Sequence, residues 1–160
     1  MFNFLFRSRS YQSELISSSL HDEKTFYQAF LRDLNACESE VIIESPYITN
    51  SRSQQLRPIF QSLIDRGVKV YVITRHPQEH DEKLAVQAEG EISEFEIMGV
   101  QVLMCSGNHH RKLAILDRKL LWEGSLNILS QTRSREIMRR IEGKKLAMQM
   151  FNFLKLSKYV

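Results

Sequence analysis

The sequence predicts an α/β fold: a mixed β-sheet flanked by helices on both faces. Three observations carry that reading. Short apolar runs bounded by polar or glycine punctuation recur at 40–45, 68–74, 100–104 and 112–116, and each reads as a strand. Longer stretches between the first three carry apolar residues at helical spacing. Alternation of the two periods implies helices layered on a sheet, not a bundle or a sandwich.

Taken in order, the first twenty residues are rich in serine and arginine and read as an N-terminal arm. Within it Phe2, Phe4 and Phe6 alternate with other residues and suit an edge strand or packing on a partner. Residues 21–160 form one domain, long enough to bury a core. An amphipathic helix spans 22–37, with Phe26, Phe30, Leu31 and Leu34 on one side. Strand 40–45 follows, then a helix over 53–66 that stops at Gly67, then strand 68–74. Glycine just past the last helical residue is a good stop, because it takes the left-handed conformation without strain. A charged loop from His76 leads into a helix over about 81–97, with strand 100–104 after it. Strand 112–116 turns through Asp117, Arg118 and Lys119 into Leu120, Leu121 and Trp122, a hairpin. Strand 135–141 and a closing helix over 143–158, with Leu146, Met150, Phe151 and Leu154 inward, complete the chain.

The chemistry is concentrated in one run, HRKLAILDRKLLWEGSLN, from His110 to Asn127. Successive strand side chains face opposite ways, so His110 and Lys112 share a face. Asp117, seven residues from His110, points the other way on a straight strand. The hairpin returns Gly124, Ser125 and Asn127 beside the His-Lys pair, and Ser125 and Asn127 share parity. Gly124 allows backbone or ligand to approach closely. A nucleophilic imidazole, a cation and two neutral donors suit attack on a phosphodiester. No carboxylate cluster is available for a pair of magnesium ions, so the set implies catalysis without metal or cofactor.

His-x-Lys, four residues, Asp, six residues, Gly-Ser-x-Asn resembles the signature of the phospholipase D superfamily, and its spacing runs without a gap. The flanking text at 41–48 and 66–74 is similar to that family's core as well, so the resemblance covers roughly residues 20–145. It implies a phospholipase D-like fold, with His110 attacking phosphorus to form a phosphohistidine and Lys112, Ser125 and Asn127 holding the phosphate. It carries Asp117 with this catalytic set in a mainly structural role, in line with the parity argument. It also implies that Glu136 orients the histidine ring.

The family mechanism uses two such motifs, and this chain has one. The resemblance therefore implies a homodimer that builds one active site, like the small single-motif bacterial endonucleases.

Net charge is only +3, too mild to announce a nucleic-acid binder by itself. Its distribution says more. Arg111, Arg118, Lys119, Arg133, Arg135, Arg139, Arg140, Lys144 and Lys145 crowd the motif and its downstream flank. Arg111, Arg133 and Arg135, with Gly124, are the residues expected to meet a phosphate backbone.

Cys37 and Cys105 lie far apart with apolar neighbours and read as reduced thiols of a cytoplasmic protein. No run is long and apolar enough for a signal segment or a membrane span. His76 and His80 are four apart, but Pro77 and the want of a second pair make zinc a poor reading. Trp122, Met138, Met148 and Met150 read as packing, and His109 as a cleft-rim residue on the face opposite His110.

Three function classes remain. A metal-independent nuclease on DNA or RNA is favoured by the small single-motif form and the basic flank. A phospholipid-directed phospholipase D or phosphatidyltransferase is disfavoured, because the segments around the motif read as basic and polar. The third class is an inactive or partner-gated nucleic-acid-binding dimer module, within a larger defence or mobile-element system. The intact motif speaks against idleness.

Overall fold

A computed structural model describes residues 16–130 and 133–160. The readings placed on Phe2, Phe4 and Phe6 lie outside the described residues. Seven strands form one sheet: β1 (Ser17–Asp22), β2 (Glu40–Glu44), β3 (Lys69–Arg75), β4 (Gln101–Cys105), β5 (Leu113–Leu116), β6 (Leu120–Gly124) and β7 (Ile137–Glu142). Their order across the sheet is β1-β7-β6-β5-β2-β3-β4. β2, β3 and β4 run parallel, while β5, β6, β7 and β1 pair antiparallel. The sheet is therefore mixed, as expected.

The four helices are α1 (Phe26–Asn35), α2 (Asn50–Asp65), α3 (Glu82–Met98) and α4 (Lys144–Phe153). The first three cover one face. Phe26, Phe30 and Leu34 of α1, Leu56, Phe60 and Leu63 of α2, and Ile92 and Phe95 of α3 pack there on Val41, Ile43, Val70, Val72, Ala114 and Trp122. The other face belongs to α4, whose Ala147 and Phe151 meet Ile42, Tyr71, Ile73, Ile115 and Leu121. Alternation along β2 divides its side chains between the two cores, so this central strand is buried throughout. Trp122 is fully buried and its Nε1 donates to Asp33 Oδ2 at 2.9 Å. Met138 is buried too, and both cysteines are free thiols.

Several boundaries differ from the sequence reading: α2 starts at Asn50 and not 53, and β7 starts at Ile137 and not 135. α1 begins at Phe26, because Asp22 caps the turn before it by accepting from the backbone N–H groups of Lys24 and Thr25. β1 takes Ser17–Asp22 into the sheet, so the end of the expected arm joins the domain. Its sequence, SSSLHD, has no apolar alternation, and the strand is held at the edge by its backbone ladder with β7. The closing helix ends at Phe153, with a separate 3₁₀ turn at Leu156–Lys158. Lys155 between them adopts φ +54°.

Candidate active site

The site lies where the parallel strands β2, β3 and β4 end and β5 begins. His110 and Lys112 stand on the segment entering β5. Gly124 ends β6, and Ser125 and Asn127 follow it. All five line one open cleft of about 1120 Å³. The structure thus brings together the His-x-Lys pair and the Gly-Ser-x-Asn segment, and the hairpin of β5 and β6 does it.

Lys112 Nζ lies 2.7 Å from His110 Nδ1 and donates to the His110 carbonyl oxygen at 2.7 Å. Partial burial, then the Lys112 cation, then the Arg75 cation hold the His110 ring below the ordinary histidine value. Those influences favour the neutral imidazole, whose one ring lone pair either accepts from Lys112 at Nδ1 or attacks from Nε2. Burial also draws Lys112 below its ordinary value, with the Glu136 carboxylate pulling the other way. Ser125 is fixed by a reciprocal pair: its N–H donates to the Ile137 carbonyl at 2.9 Å, and the Ile137 N–H donates to its Oγ at 3.1 Å. Accepting that bond leaves the Ser125 hydroxyl proton for the cleft. Asn127 Oδ1 is buried with no hydrogen-bond partner among the described residues. An orphaned buried oxygen in the wall of a cleft calls for a ligand or water to satisfy it.

The remaining candidates divide. At Gly124 a Cβ would collide with the Ile137 carbonyl oxygen and sit 2.8 Å from Met138 Sδ. The space left by the missing side chain is therefore taken by β7 rather than left for a ligand. Glu136 lines the cleft, but its carboxylate accepts from Ser134 Oγ at 2.7 Å instead of reaching the His110 ring. It bears on the site through Lys112. Arg111 and Arg135 line the cleft, joined there by Arg139. Arg133 is exposed and stands apart from the lining residues.

Asp117 lies at the far end of β5. It accepts from the backbone N–H groups of Glu38, Ser39 and Glu40 at 2.8–2.9 Å and from Ser39 Oγ at 2.7 Å. Burial raises this carboxyl, but those bonds together hold it below the ordinary aspartate value. These bonds tie the turn after β5 to the start of β2.

The basic flank is not uniform. Arg118 pairs with Glu40 at 2.8 Å and lies over the Phe151 ring, while Arg140 pairs with Asp33 at 2.7 Å and with Glu142 at 3.2 Å. Those two guanidinium groups are spent on the scaffold, and the cleft keeps Arg111, Arg135 and Arg139.

Four features of the site were not read from the sequence. Glu44, at the end of β2, is buried with Oε2 3.2 Å from Arg111 Nε and 3.5 Å from His109 Nε2. Neither Glu44 Oε2 nor His109 Nε2 makes a hydrogen bond among the described residues. Burial pushes the Glu44 carboxyl up, with Arg111 opposing, and the same burial draws His109 down. His109 is therefore an interior residue and not part of the rim. Tyr47 sets its ring edge-on to His110 at 6.2 Å between centroids. Leu20, Ile137 and Phe153, 61%, 62% and 80% exposed, border the cleft. That last feature adds an apolar margin to the basic and polar segments expected around the motif, and it was missed because β1, β7 and α4 meet there only in three dimensions. Arg75 and Glu79, beside the loop before His110, are the fourth. A charged residue directly after an apolar parallel-strand run was the available signal for Glu44 and Arg75, since sites form at the carboxyl ends of such strands.

Residues 30–155 match the family model described as "Cardiolipin synthase, PLD-like domain". No curated protein matches the chain in sequence. Solved structures do match. Nuc of Salmonella typhimurium, described as a phospholipase D family member, is 16% identical, with a TM-score of 0.67 over 87% of this chain and 93% of that one. NucT from Helicobacter pylori is 17% identical, with a TM-score of 0.66 and the same coverages, 87% and 93%. The phosphatidylserine synthase of Haemophilus influenzae Rd KW20 is 14% identical with a TM-score of 0.70, over 89% of this chain but 39% of that one. At these identities the likeness speaks for the fold.

Proposed function

The chain belongs to the phospholipase D-like domain family, and from that premise we propose that it is a metal-independent phosphodiesterase that hydrolyses nucleic acid through a phosphohistidine. The observation that carries this reading is the convergence of a neutral His110, Lys112, Ser125 and Asn127 on one cleft, with Arg111, Arg135 and Arg139 around it. In the first step His110 donates its lone pair to phosphorus and the bond to the leaving oxygen breaks. Lys112, the Ser125 hydroxyl and the Asn127 amide offset charge on the phosphoryl oxygens. In the second step water attacks the phosphohistidine and gives a proton to the group that protonated the leaving oxygen, the phosphorus–nitrogen bond breaks and the imidazole returns.

The leaving oxygen needs a proton, and no further imidazole lines this cleft among the described residues. A second copy of the chain supplies that acid in a homodimer: its own His110 faces the first and carries the one proton the two rings share. Two-fold symmetry then makes one site from two identical halves. The fit of Nuc and NucT over nearly their whole lengths supports this small, single-motif architecture.

One observation favours a second reading. The apolar border of Leu20, Ile137 and Phe153 suits the acyl portion of a phospholipid as well as it suits a partner subunit. The two readings separate in one experiment. Wild type and His110→Ala are incubated with single-stranded DNA, duplex DNA, RNA and phospholipid micelles, all in excess chelator. Nucleic-acid cleavage that survives chelation and vanishes in the variant supports the proposal. Activity confined to the micelles transfers the site to lipid, and chelator-sensitive cleavage contradicts both readings. Light scattering on the same samples tests the dimer, and a monomer that still cleaves overturns the shared site.

A further inference from the structure

His110 is an exposed residue leaving a loop, and a loop by itself fixes a side chain poorly. The loop 106–109 is, however, gripped from one side. β3 runs parallel to β4 with Arg75 opposite Cys105, and the His76 N–H donates to the Cys105 carbonyl at 2.9 Å. The chain then turns through the 3₁₀ segment Pro77–Glu79. There the Glu79 carboxylate accepts from the Gly107 N–H at 2.6 Å and from the Asn108 N–H at 3.1 Å.

Those two residues have φ +88° and +58°. Asparagine is among the few residues besides glycine that adopt the left-handed conformation at modest cost, and contacts from Glu79 and Arg75 select it at Asn108. Two successive amides point at one carboxylate, in the manner of an anion-binding backbone concavity. Arg75 closes the assembly. Its Nε lies 3.1 Å from Glu79 Oε2, and its Nη2 donates to the Glu79 carbonyl at 3.0 Å and to Asn108 Oδ1 at 2.8 Å. Neither Arg75 nor Glu79 lines the cleft.

We propose that Arg75 and Glu79 form a clamp that positions His110 for attack, by holding the Gly107-Asn108 turn two residues before it. This rests on the reading of His110 as the nucleophile. The clamp fixes the backbone from which the imidazole departs, and so sets the angle at which its lone pair meets phosphorus. Misplacement of a reacting group by about 1 Å costs up to 10²-fold in rate. The charged and titratable groups around His110 are His109 and Lys112 on its own segment, Arg75 from β3 and Tyr47 after β2. Arg75 thus acts on the ring through space as well as through the turn.

The test compares wild type with Glu79→Ala, Glu79→Gln and Arg75→Met, by steady-state cleavage of a short oligonucleotide and by NMR of the amides and histidine rings. Glu79→Ala is expected to lower kcat by roughly 10-fold to 10²-fold with KM nearly unchanged. Gly107 and Asn108 amide exchange should speed up while the sheet amides do not change. Glu79→Gln keeps one acceptor oxygen and should recover part of the loss. Arg75→Met removes a nearby cation, so the His110 titration midpoint should rise. A folded Glu79→Ala with wild-type kcat, or one whose Gly107 and Asn108 amides exchange as in wild type, overturns the clamp. If Glu79→Ala does not fold, Glu79→Gln and Arg75→Met decide on the same readouts. If wild type cleaves no nucleic acid, the oligonucleotide reading fails by itself. The amide exchange then still judges the clamp.

Discussion

The two ends of the β2–β5 pair are built on opposite principles. At one end Asp117 accepts four hydrogen bonds, Arg118 sits against Glu40 and Phe151, and both turn residues hold positive φ, +50° and +53°. At the other end, four residues of strand away, Glu44 Oε2, His109 Nε2 and Asn127 Oδ1 are buried without hydrogen bonds among the described residues. Buried polar groups are nearly always satisfied in folded proteins. The Asp117 end is bonded throughout, whereas at the other end Glu44 has only the longer contacts to Arg111 and His109, at 3.2 and 3.5 Å, and Asn127 Oδ1 faces the cleft. The carboxyl groups carry the same contrast: Asp117 is held below its ordinary value and Glu44 is pushed above it.

The sharpest way to break this comparison is His110→Ala. Loss of a nucleophile costs on the order of 10⁴-fold or more in kcat, and the thermal midpoint should stay near wild type because the side chain is exposed. Kinetics alongside a melting curve check both halves. Lys112→Ala follows, with a fall of about 10²-fold as for removal of one stabilising donor. It should also raise the histidine limb of the pH–rate profile, since the Lys112 cation helps keep that limb below the ordinary histidine value of 6.5.

Asp117→Ala should do the reverse of His110→Ala. Urea titration should show a loss of about 1.5 kcal/mol, the scale for hydrogen bonds to a charged group at a partly exposed position, while the folded fraction keeps its kcat. If the folded variant is inactive, the division between the two ends is wrong.

The smallest effects sharpen the contrast through pH. A carboxyl whose folded value is depressed stabilises above its unfolded value and loses that contribution as pH falls. Asp117 therefore costs stability only in acid, below about its ordinary 3.8. Glu44 has the opposite sign: its folded value is raised, so stability falls as pH climbs above its ordinary 4.5. Replacing it by glutamine should flatten that decline, and urea midpoints from pH 4 to pH 8 measure it.

Much of this was legible in the chain itself. The runs at β2, β3, β4 and β5 are apolar enough to be strands in any setting, and Gly67 marks the end of α2. The spacing separated Asp117 from His110, though what parts them is the length of β5 and not a strand face, since Asp117 sits in the turn at φ +50°. The edge strand β1 was not legible, because Ser17–Asp22 is selected by backbone pairing with β7 and carries no apolar pattern. Glu79 lies 31 residues before His110 and reaches its loop only because β3 and β4 run parallel. The apolar border of the cleft likewise joins Leu20, Ile137 and Phe153, which no local window contains. Local pattern finds residues that act from one hairpin, and it misses those that the sheet gathers.

The central claim is that His110 forms a covalent bond to phosphorus, and the stereochemistry of cleavage tests it most directly. Each in-line displacement inverts phosphorus, so two in succession restore its configuration. A substrate with a phosphorothioate of defined chirality at the scissile position, cleaved in isotopically labelled water, should give product with overall retention. Inversion would mean that water attacks phosphorus directly, and the nucleophilic role of His110 would fall.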